Sequence, residues 1–236
     1  MIIAANFKTN LTRYQTREYF SALEDFIHDN GVCQEVLVFP SATSLYLHNG
    51  KAIMGIQNAY PALNGAFTGE IGTEQLDEFA IKTILIGHSE RRHILGETQE
   101  FIAEKFKFYK NLGYKIVYCI GEPLHIRESG EAKMLEYLNT QLVGIDTAYA
   151  NLVVAYEPVW AIGTGVTPTL EEIEKLHTIL SLTCKTPILY GGSVKAENAK
   201  EILALNNVDG ILVGSGALKV NDFCSMISDA QQLNKI

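Results

Sequence analysis

With 236 residues, 47% of them hydrophobic and 19% charged, the chain is long enough to bury a large core and too apolar to remain disordered. A formal net charge of −8 argues against nucleic acid or an anionic membrane as partner, since both call for a basic face; a small anionic ligand stays possible if backbone N–H groups and lysines oppose the overall field locally. The four cysteines, Cys33, Cys119, Cys184 and Cys224, have no paired spacing, so they read as reduced core thiols rather than a zinc or thioredoxin-like motif.

Short apolar runs recur in chain order at Ile2 to Phe7, Glu35 to Phe39, Ala52 to Gln57, Lys82 to Gly87, Lys115 to Ile120, Leu152 to Glu157, Pro187 to Tyr190 and Gly210 to Val213. Segments of helical period alternate with them. The first carries Tyr19, Phe20, Leu23, Phe26 and Ile27, and a later one Phe101, Ile102, Phe106, Tyr109 and Leu112, stopped by Gly113. Others follow through Met134 to Leu142, Leu170 to Leu180 and Phe223 to Leu233, and Thr169 with Glu172 forms a capping box ahead of the second of these. Strands that are apolar on both sides need cover on both, which favours a parallel sheet. At roughly 30 residues per repeat, eight strand–helix units fit a closed α/β barrel of eight parallel strands with outer helices, with an open doubly wound sheet as the alternative. No linker or charge block interrupts the pattern, so residues 1–236 are expected to form a single domain. Met1 to Asn6 is too short for a signal peptide and lacks a basic leader, and no segment reaches transmembrane length, so the expected location is the cytoplasm.

Two connections depart from the pattern. Asn58 to Glu70 is long and apolar without a period, and Tyr60, Leu63 and Phe67 on it suggest a subunit contact. After Leu152 to Tyr156 comes Glu157-Pro158-Val159-Trp160-Ala161-Ile162-Gly163-Thr164-Gly165, a carboxylate at a strand exit followed by a loop that is stiff at its proline end and permissive at its glycines. That combination fits a moving lid as well as an ordinary connection.

Barrels of this kind place their sites at the carboxyl ends of the strands. There the sequence offers Asn6 and Lys8 on one face of an extended segment, His88 in Gly87-His88-Ser89-Glu90-Arg91-Arg92, Glu157, and the glycine-rich turns Tyr190-Gly191-Gly192-Ser193 and Val213-Gly214-Ser215-Gly216. Each has a commonplace explanation taken singly. Together they put a cation, an imidazole, a carboxylate and two helix entrances suited to a phosphate around one mouth. No metal-ligand spacing, Walker motif or dinucleotide fingerprint is present, so the chemistry is expected to come from side chains, without cofactor or metal. A carboxylate base facing a histidine and a lysine suits proton abstraction beside a carbonyl, with the enediolate oxygen held by His88 and Lys8.

With Gln57-Asn58, Gly65-Ala66-Phe67-Thr68-Gly69-Glu70, Cys119-Ile120-Gly121-Glu122 and Asp209-Gly210 added to these motifs, nearly the whole chain resembles the triosephosphate isomerase family. The resemblance implies interconversion of dihydroxyacetone phosphate and glyceraldehyde 3-phosphate by a TIM barrel, without cofactor or metal, in a cytoplasmic homodimer serving glycolysis and gluconeogenesis. By position it makes Glu157 the base, His88 the electrophile and Lys8 the substrate-binding cation, with Asn6 supporting Lys8 and Glu90 as a further carboxylate beside it. It assigns the phosphate to backbone N–H groups of Gly163, Ser193, Gly214 and Ser215. Thr68 resembles the loop tip that reaches the neighbouring subunit's site, and Glu122 and Tyr156 resemble residues that hold Trp160.

Several positions depart from the family pattern. Phe7 and Thr9 stand where many members have tryptophan and methionine or cysteine, and Ser215 stands for a second glycine, keeping the N–H while limiting how closely a phosphate can approach. The segments Pro40 to Lys51 and Thr169 to Thr186 are shorter than usual, with consequences expected for stability and oligomer contacts only. Alternatives are another sugar-phosphate barrel using Lys8 as a Schiff-base lysine, and a barrel that binds phosphate without catalysis.

Overall fold

The structure is a computed structural model that describes residues 1–162 and 168–233. Eight strands form one parallel sheet: β1 Ile2–Asn6, β2 Glu35–Phe39, β3 Ile53–Met54, β4 Thr83–Ile86, β5 Lys115–Ile120, β6 Leu152–Tyr156, β7 Ile188–Tyr190 and β8 Gly210–Val213. Their order, β3-β2-β1-β8-β7-β6-β5-β4, curls back on itself. Ile56 joins its ends, its N–H donating to the Thr83 carbonyl and its carbonyl accepting from Leu85 N–H, both at 2.9 Å. The expected (β/α)8 barrel is therefore formed, and the open doubly wound alternative is not.

Side-chain alternation along the strands divides the core in two. Ile2, Ala4, Leu37, Phe39, Leu85, Val117, Cys119, Val153, Ala155, Leu189 and Leu212 fill the barrel's interior. The alternate residues face outward to a ring of helices, and the two layers leave nothing apolar on the strands exposed except Ile53. Helices α1 Arg13–Asp29, α4 Gln99–Asn111, α6 Glu131–Thr140, α7 Leu170–Thr183 and α9 Val220–Leu233 carry most of the expected apolar periods, but Leu112 and Leu142 fall beyond the ends of α4 and α6, and Leu112 and Leu170 are exposed. Helices α1 and α7 open on reciprocal capping boxes, Thr12 with Gln15 and Thr169 with Glu172, and α4 on a Thr98 cap. The shorter α2 Thr73–Asp77, α3 Ser89–His93, α5 Leu124–Glu128 and α8 Ala199–Ala204 were not anticipated, because five or six residues hold too little of a helical period to recognise.

The two segments marked as short differ in outcome. Thr169 to Thr186 still holds the 14-residue α7, whereas the connection from β2 to β3 holds only a 3₁₀ turn at Ala42–Ser44. Among the described residues no helix is long and apolar enough to cross a membrane.

The Asn58 to Glu70 loop is anchored at its base and exposed at its tip. Asn58 Oδ1 accepts from Lys105 Nζ at 2.7 Å and the Tyr60 carbonyl from the Tyr109 hydroxyl at 2.7 Å. Phe67 lies on the Tyr60 ring at 4.1 Å between centroids, while Leu63 and Phe67 remain exposed.

Candidate active site

The period-two alternation that fills the barrel also aims the site. Asn6 continues the inward series Ile2, Ala4, and Glu157 continues Val153, Ala155, so both emerge at the carboxyl-end mouth. Two glycines make room for Glu157. A Cβ on Gly121 would lie 1.7 Å from the Glu157 carbonyl oxygen, and one on Gly191 would lie 2.8 Å from Glu157 Cγ. Any side chain at either position would displace the carboxylate.

His88 does not follow the alternation. Gly87 adopts φ +77, turning the chain so that His88 becomes the residue capping α3 rather than another strand position. The N–H of Glu90 then donates to His88 Nδ1 at 3.2 Å. A ring nitrogen that accepts carries no proton, so the ring proton sits on Nε2, which faces Glu157 Oε1 at 3.1 Å. The other carboxylate oxygen accepts from Ser89 N–H at 3.2 Å. Both groups are buried, Glu157 to 3% exposure and His88 to 6%.

Each partner moves the other's titration. Burial pushes the Glu157 carboxyl up, but His88, the Ser89 N–H and Lys8 outweigh it and hold the group below the ordinary carboxylate value. Burial pushes the His88 imidazole down, but the neighbouring Glu157 and Glu90 carboxylates outweigh it, and the net displacement is upward while that contact lasts. Cys119 lies beside Glu157, and burial first and this carboxylate second raise its thiol well above the ordinary value, so it packs as a neutral group.

Lys8 departs from the extended conformation expected for it. Its φ is +51, a left-handed turn unusual for a residue with a side chain. Three contacts hold it there: Lys8 N–H donates to Asn6 Oδ1 at 3.0 Å, Gln57 Nε2 donates to the Lys8 carbonyl at 2.8 Å, and Lys8 Nζ pairs with Glu90 Oε1 at 2.6 Å. Gln57 also bonds the Phe39 carbonyl at 2.9 Å, tying the turn to β2. In the sequence a lone glutamine in Gln57-Asn58 offers no signal for this role. Phe7, turned the other way, is buried against Tyr19 at 4.8 Å between ring centroids.

Asn6, Lys8, His88 and Glu157 line a cleft of about 720 Å³ that also takes in Gly191, Ser193, Gly214 and Ser215. Ser215 opens a 3₁₀ turn, Ser215–Ala217, and Gly214 before it faces Lys8, whose Cε lies 3.5 Å from the place a Cβ would occupy. Ser193 donates from Oγ to the Ala161 carbonyl at 2.5 Å, joining the β7 turn to the loop after β6. Gly163 and the rest of residues 163–167 lie outside the described residues, so the expected lid is seen only at its stems. At the first stem Glu122, fully buried, accepts from Tyr156 OH at 3.0 Å and from Trp160 Nε1 at 3.1 Å. At the second, Arg127 packs over the Trp160 ring and pairs with Glu172 of the α7 capping box at 2.7 Å, so one guanidinium joins the two stems. Thr68 sits at the exposed tip of its loop, away from this chain's own cleft lining.

Such a mouth is equipped to shift a proton between neighbouring carbons of a phosphorylated carbonyl compound, which puts the chain among the (β/α)8 sugar-phosphate isomerases. The family described as triosephosphate isomerase matches residues 1–230. The triosephosphate isomerase of Sulfurimonas denitrificans is 60% identical over 235 residues, covering 100% of this chain and 98% of its own. Those of Wolinella succinogenes and Campylobacter jejuni are 54% and 50% identical, each covering 96% of this chain and 99% of its own. The chain belongs to the triosephosphate isomerase family, and its reaction is the isomerisation of a triose phosphate.

Proposed function

We propose that Glu157 moves the proton between the two carbons that interconvert dihydroxyacetone phosphate and D-glyceraldehyde 3-phosphate, with His88 as the electrophile and Lys8 holding charge on the enediolate. The observation that carries this reading is the 3.1 Å contact between His88 Nε2 and Glu157 Oε1. At that distance each group occupies the other's working atom. A substrate carbonyl that takes over the Nε2–H releases the carboxylate to reach a C–H bond, so binding itself arms the base. Once Glu157 has moved to the substrate, burial, Lys8 and the Glu90 N–H at Nδ1 favour a neutral ring that donates without losing its proton, against the Glu90 carboxylate alone. The Lys8 ion pair with Glu90 suits charge stabilisation and not Schiff-base formation, which needs a free amine.

In this reading the backbone N–H groups of Ser193, Gly214 and Ser215 hold the phosphate, joined by Gly163 when the lid closes. Closure excludes water and protects the enediolate from losing phosphate. The scheme needs no cofactor or metal. It works in a single catalytic domain of a cytoplasmic homodimer, joined through the Asn58 to Glu70 loop with Thr68 reaching the partner's mouth, and serves glycolysis and gluconeogenesis.

A coupled assay of triose phosphate interconversion, run in the presence of a chelator, tests the assignment through Glu157→Asp. Withdrawing the carboxylate by about an ångström is expected to lower kcat roughly 100-fold with KM changed less than about twofold. Equal losses in kcat and in affinity would remove Glu157 from the role of base.

A further inference from the structure

Behind the barrel wall, out of the cleft, Gln141 closes the C-terminal end of α6 and is 5% exposed. Its side-chain amide matches one residue of the β5 exit donor for acceptor. Gln141 Oε1 accepts from Gly121 N–H at 2.8 Å, and Gln141 Nε2 donates to the Gly121 carbonyl at 3.0 Å. This is the two-bond pairing that a neighbouring strand would supply, made by a side chain where the sheet has ended.

Gly121 in turn lies directly against the Glu157 backbone. A Cβ there would be 1.7 Å from the Glu157 carbonyl oxygen and 3.3 Å from its Cα, and Glu157 N–H donates to the Ile120 carbonyl at 2.7 Å. The base therefore rests on Ile120-Gly121, and Gly121 has no side chain of its own to wedge it in place. The amide of Gln141 supplies that support.

The same residue is tied to the other half of the site. The Gln141 carbonyl accepts from Tyr118 OH at 2.5 Å and Gln99 Nε2 at 2.9 Å. Tyr118 OH accepts from Arg92 Nη2 at 3.0 Å, and Arg92 Nε donates to the carbonyl of Gly87 at 2.7 Å. Gly87 is the turn that aims His88. A continuous run of buried and half-buried hydrogen bonds thus joins the backbone under the base to the backbone before the electrophile.

We propose that Gln141 is a positioning residue for the proton transfer: by clamping Gly121 it fixes where Glu157 stands relative to His88, without touching substrate. The proposal rests on Glu157 being the base. Proton transfer is more sensitive than binding to displacements of about an ångström, so loss of the clamp acts on kcat and spares the phosphate subsite on the β7 and β8 turns.

Two variants test it. Gln141→Met keeps length and volume and removes both bonds; Gln141→Glu keeps an acceptor for Gly121 N–H and sets a carboxylate oxygen against the Gly121 carbonyl. Each is expected to lower kcat about 10- to 100-fold while KM and competitive inhibition by inorganic phosphate stay within about twofold, with a native near-ultraviolet circular dichroism spectrum. If Gln141→Met does not fold, Gln141→Glu decides by the same criteria. A folded variant with kcat within threefold of the unsubstituted protein, or with kcat and phosphate affinity lost in proportion, overturns the proposal, as does failure of both variants to fold. Glu157→Asp measured alongside separates the two assignments: if it retains its kcat, the base is wrongly assigned whatever Gln141 does.

Discussion

Lys8 and Glu157 are both held in positions that cost free energy. A non-glycine residue at φ +51 costs about 1–2 kcal/mol, and at Lys8 the side chain of Gln57 and the carbonyl-type oxygen of Asn6 offset it. In this turn the Lys8 N–H stays on Asn6 while its ammonium meets Glu90. At Glu157 the cost is desolvation, opposed mainly by His88. The sign follows from the depressed carboxyl: this group contributes stability above its ordinary value of 4.5, and the contribution is lost as pH falls through the lower native value. His88→Leu removes the largest opposing partner and leaves burial in place. The Glu157 titration, followed by carbon-13 NMR of the carboxyl, is therefore expected to move to higher pH in that variant. An unmoved midpoint would mean that Ser89 N–H and Lys8 alone hold the carboxylate ionised.

At the scale of elements, the connection from β2 to β3 shows how a barrel manages without an outer helix. Glu24 on α1 reaches across: its carboxylate accepts from Lys51 N–H at 2.9 Å and Ala52 N–H at 2.8 Å and contacts His48 Nε2 at 3.1 Å. Gly50 passes so close that a Cβ would stand 2.1 Å from Glu24 Oε1. Glu24→Leu leaves those N–H groups without their acceptor and is expected to cost about 3 kcal/mol in urea unfolding, given roughly 1.5–3 kcal/mol for a hydrogen bond to a charged group, with kcat unchanged in the folded protein. A loss below about 1 kcal/mol would show that solvent replaces the carboxylate. This device could not be read from the chain, because nothing in the spacing of Glu24 and Lys51 marks them as partners. The eight strands could, since interior strands of a parallel barrel are apolar on both faces and stand out as unbroken runs. Glu157 and Asn6 were legible for a related reason: one more step of a two-residue period carries them past the core. The aim of His88 and Lys8 was not, because left-handed turns at Gly87 and at Lys8 itself interrupt that period. Gln141 left no trace at all, since its work is done on a backbone.

At the scale of the whole molecule, one surface carries the exposed apolar side chains that the proposed subunit contact would cover. Leu63 is 54% and Phe67 40% exposed on the Asn58 to Glu70 loop, and Leu95 is 63% exposed after α3. A second cleft of about 320 Å³ shares Asn6, Lys8 and His88 with the first and is walled by Gly69, Glu70 and Leu95, so a partner's loop seated there would reach the back of Lys8. The loop is ordered in advance of any such contact. Phe67 rests on Tyr60, whose ring also meets Phe101 at 5.7 Å, and the base is pinned by Lys105 and Tyr109, so little ordering entropy is left to lose on docking. In a two-fold dimer each residue of such a contact counts twice. In the proposed dimer Phe67→Lys is expected to forfeit about 2 kcal/mol of apolar burial per copy, roughly 4 kcal/mol for the pair, which corresponds to a dimer about 1,000-fold weaker. Sedimentation velocity across a dilution series is expected to show that shift, with kcat/KM falling as the monomer fraction rises. A protein that sediments as a monomer before substitution, or a variant whose dimer constant lies within tenfold of the original, would take the loop out of the interface and leave its exposed aromatic without a partner.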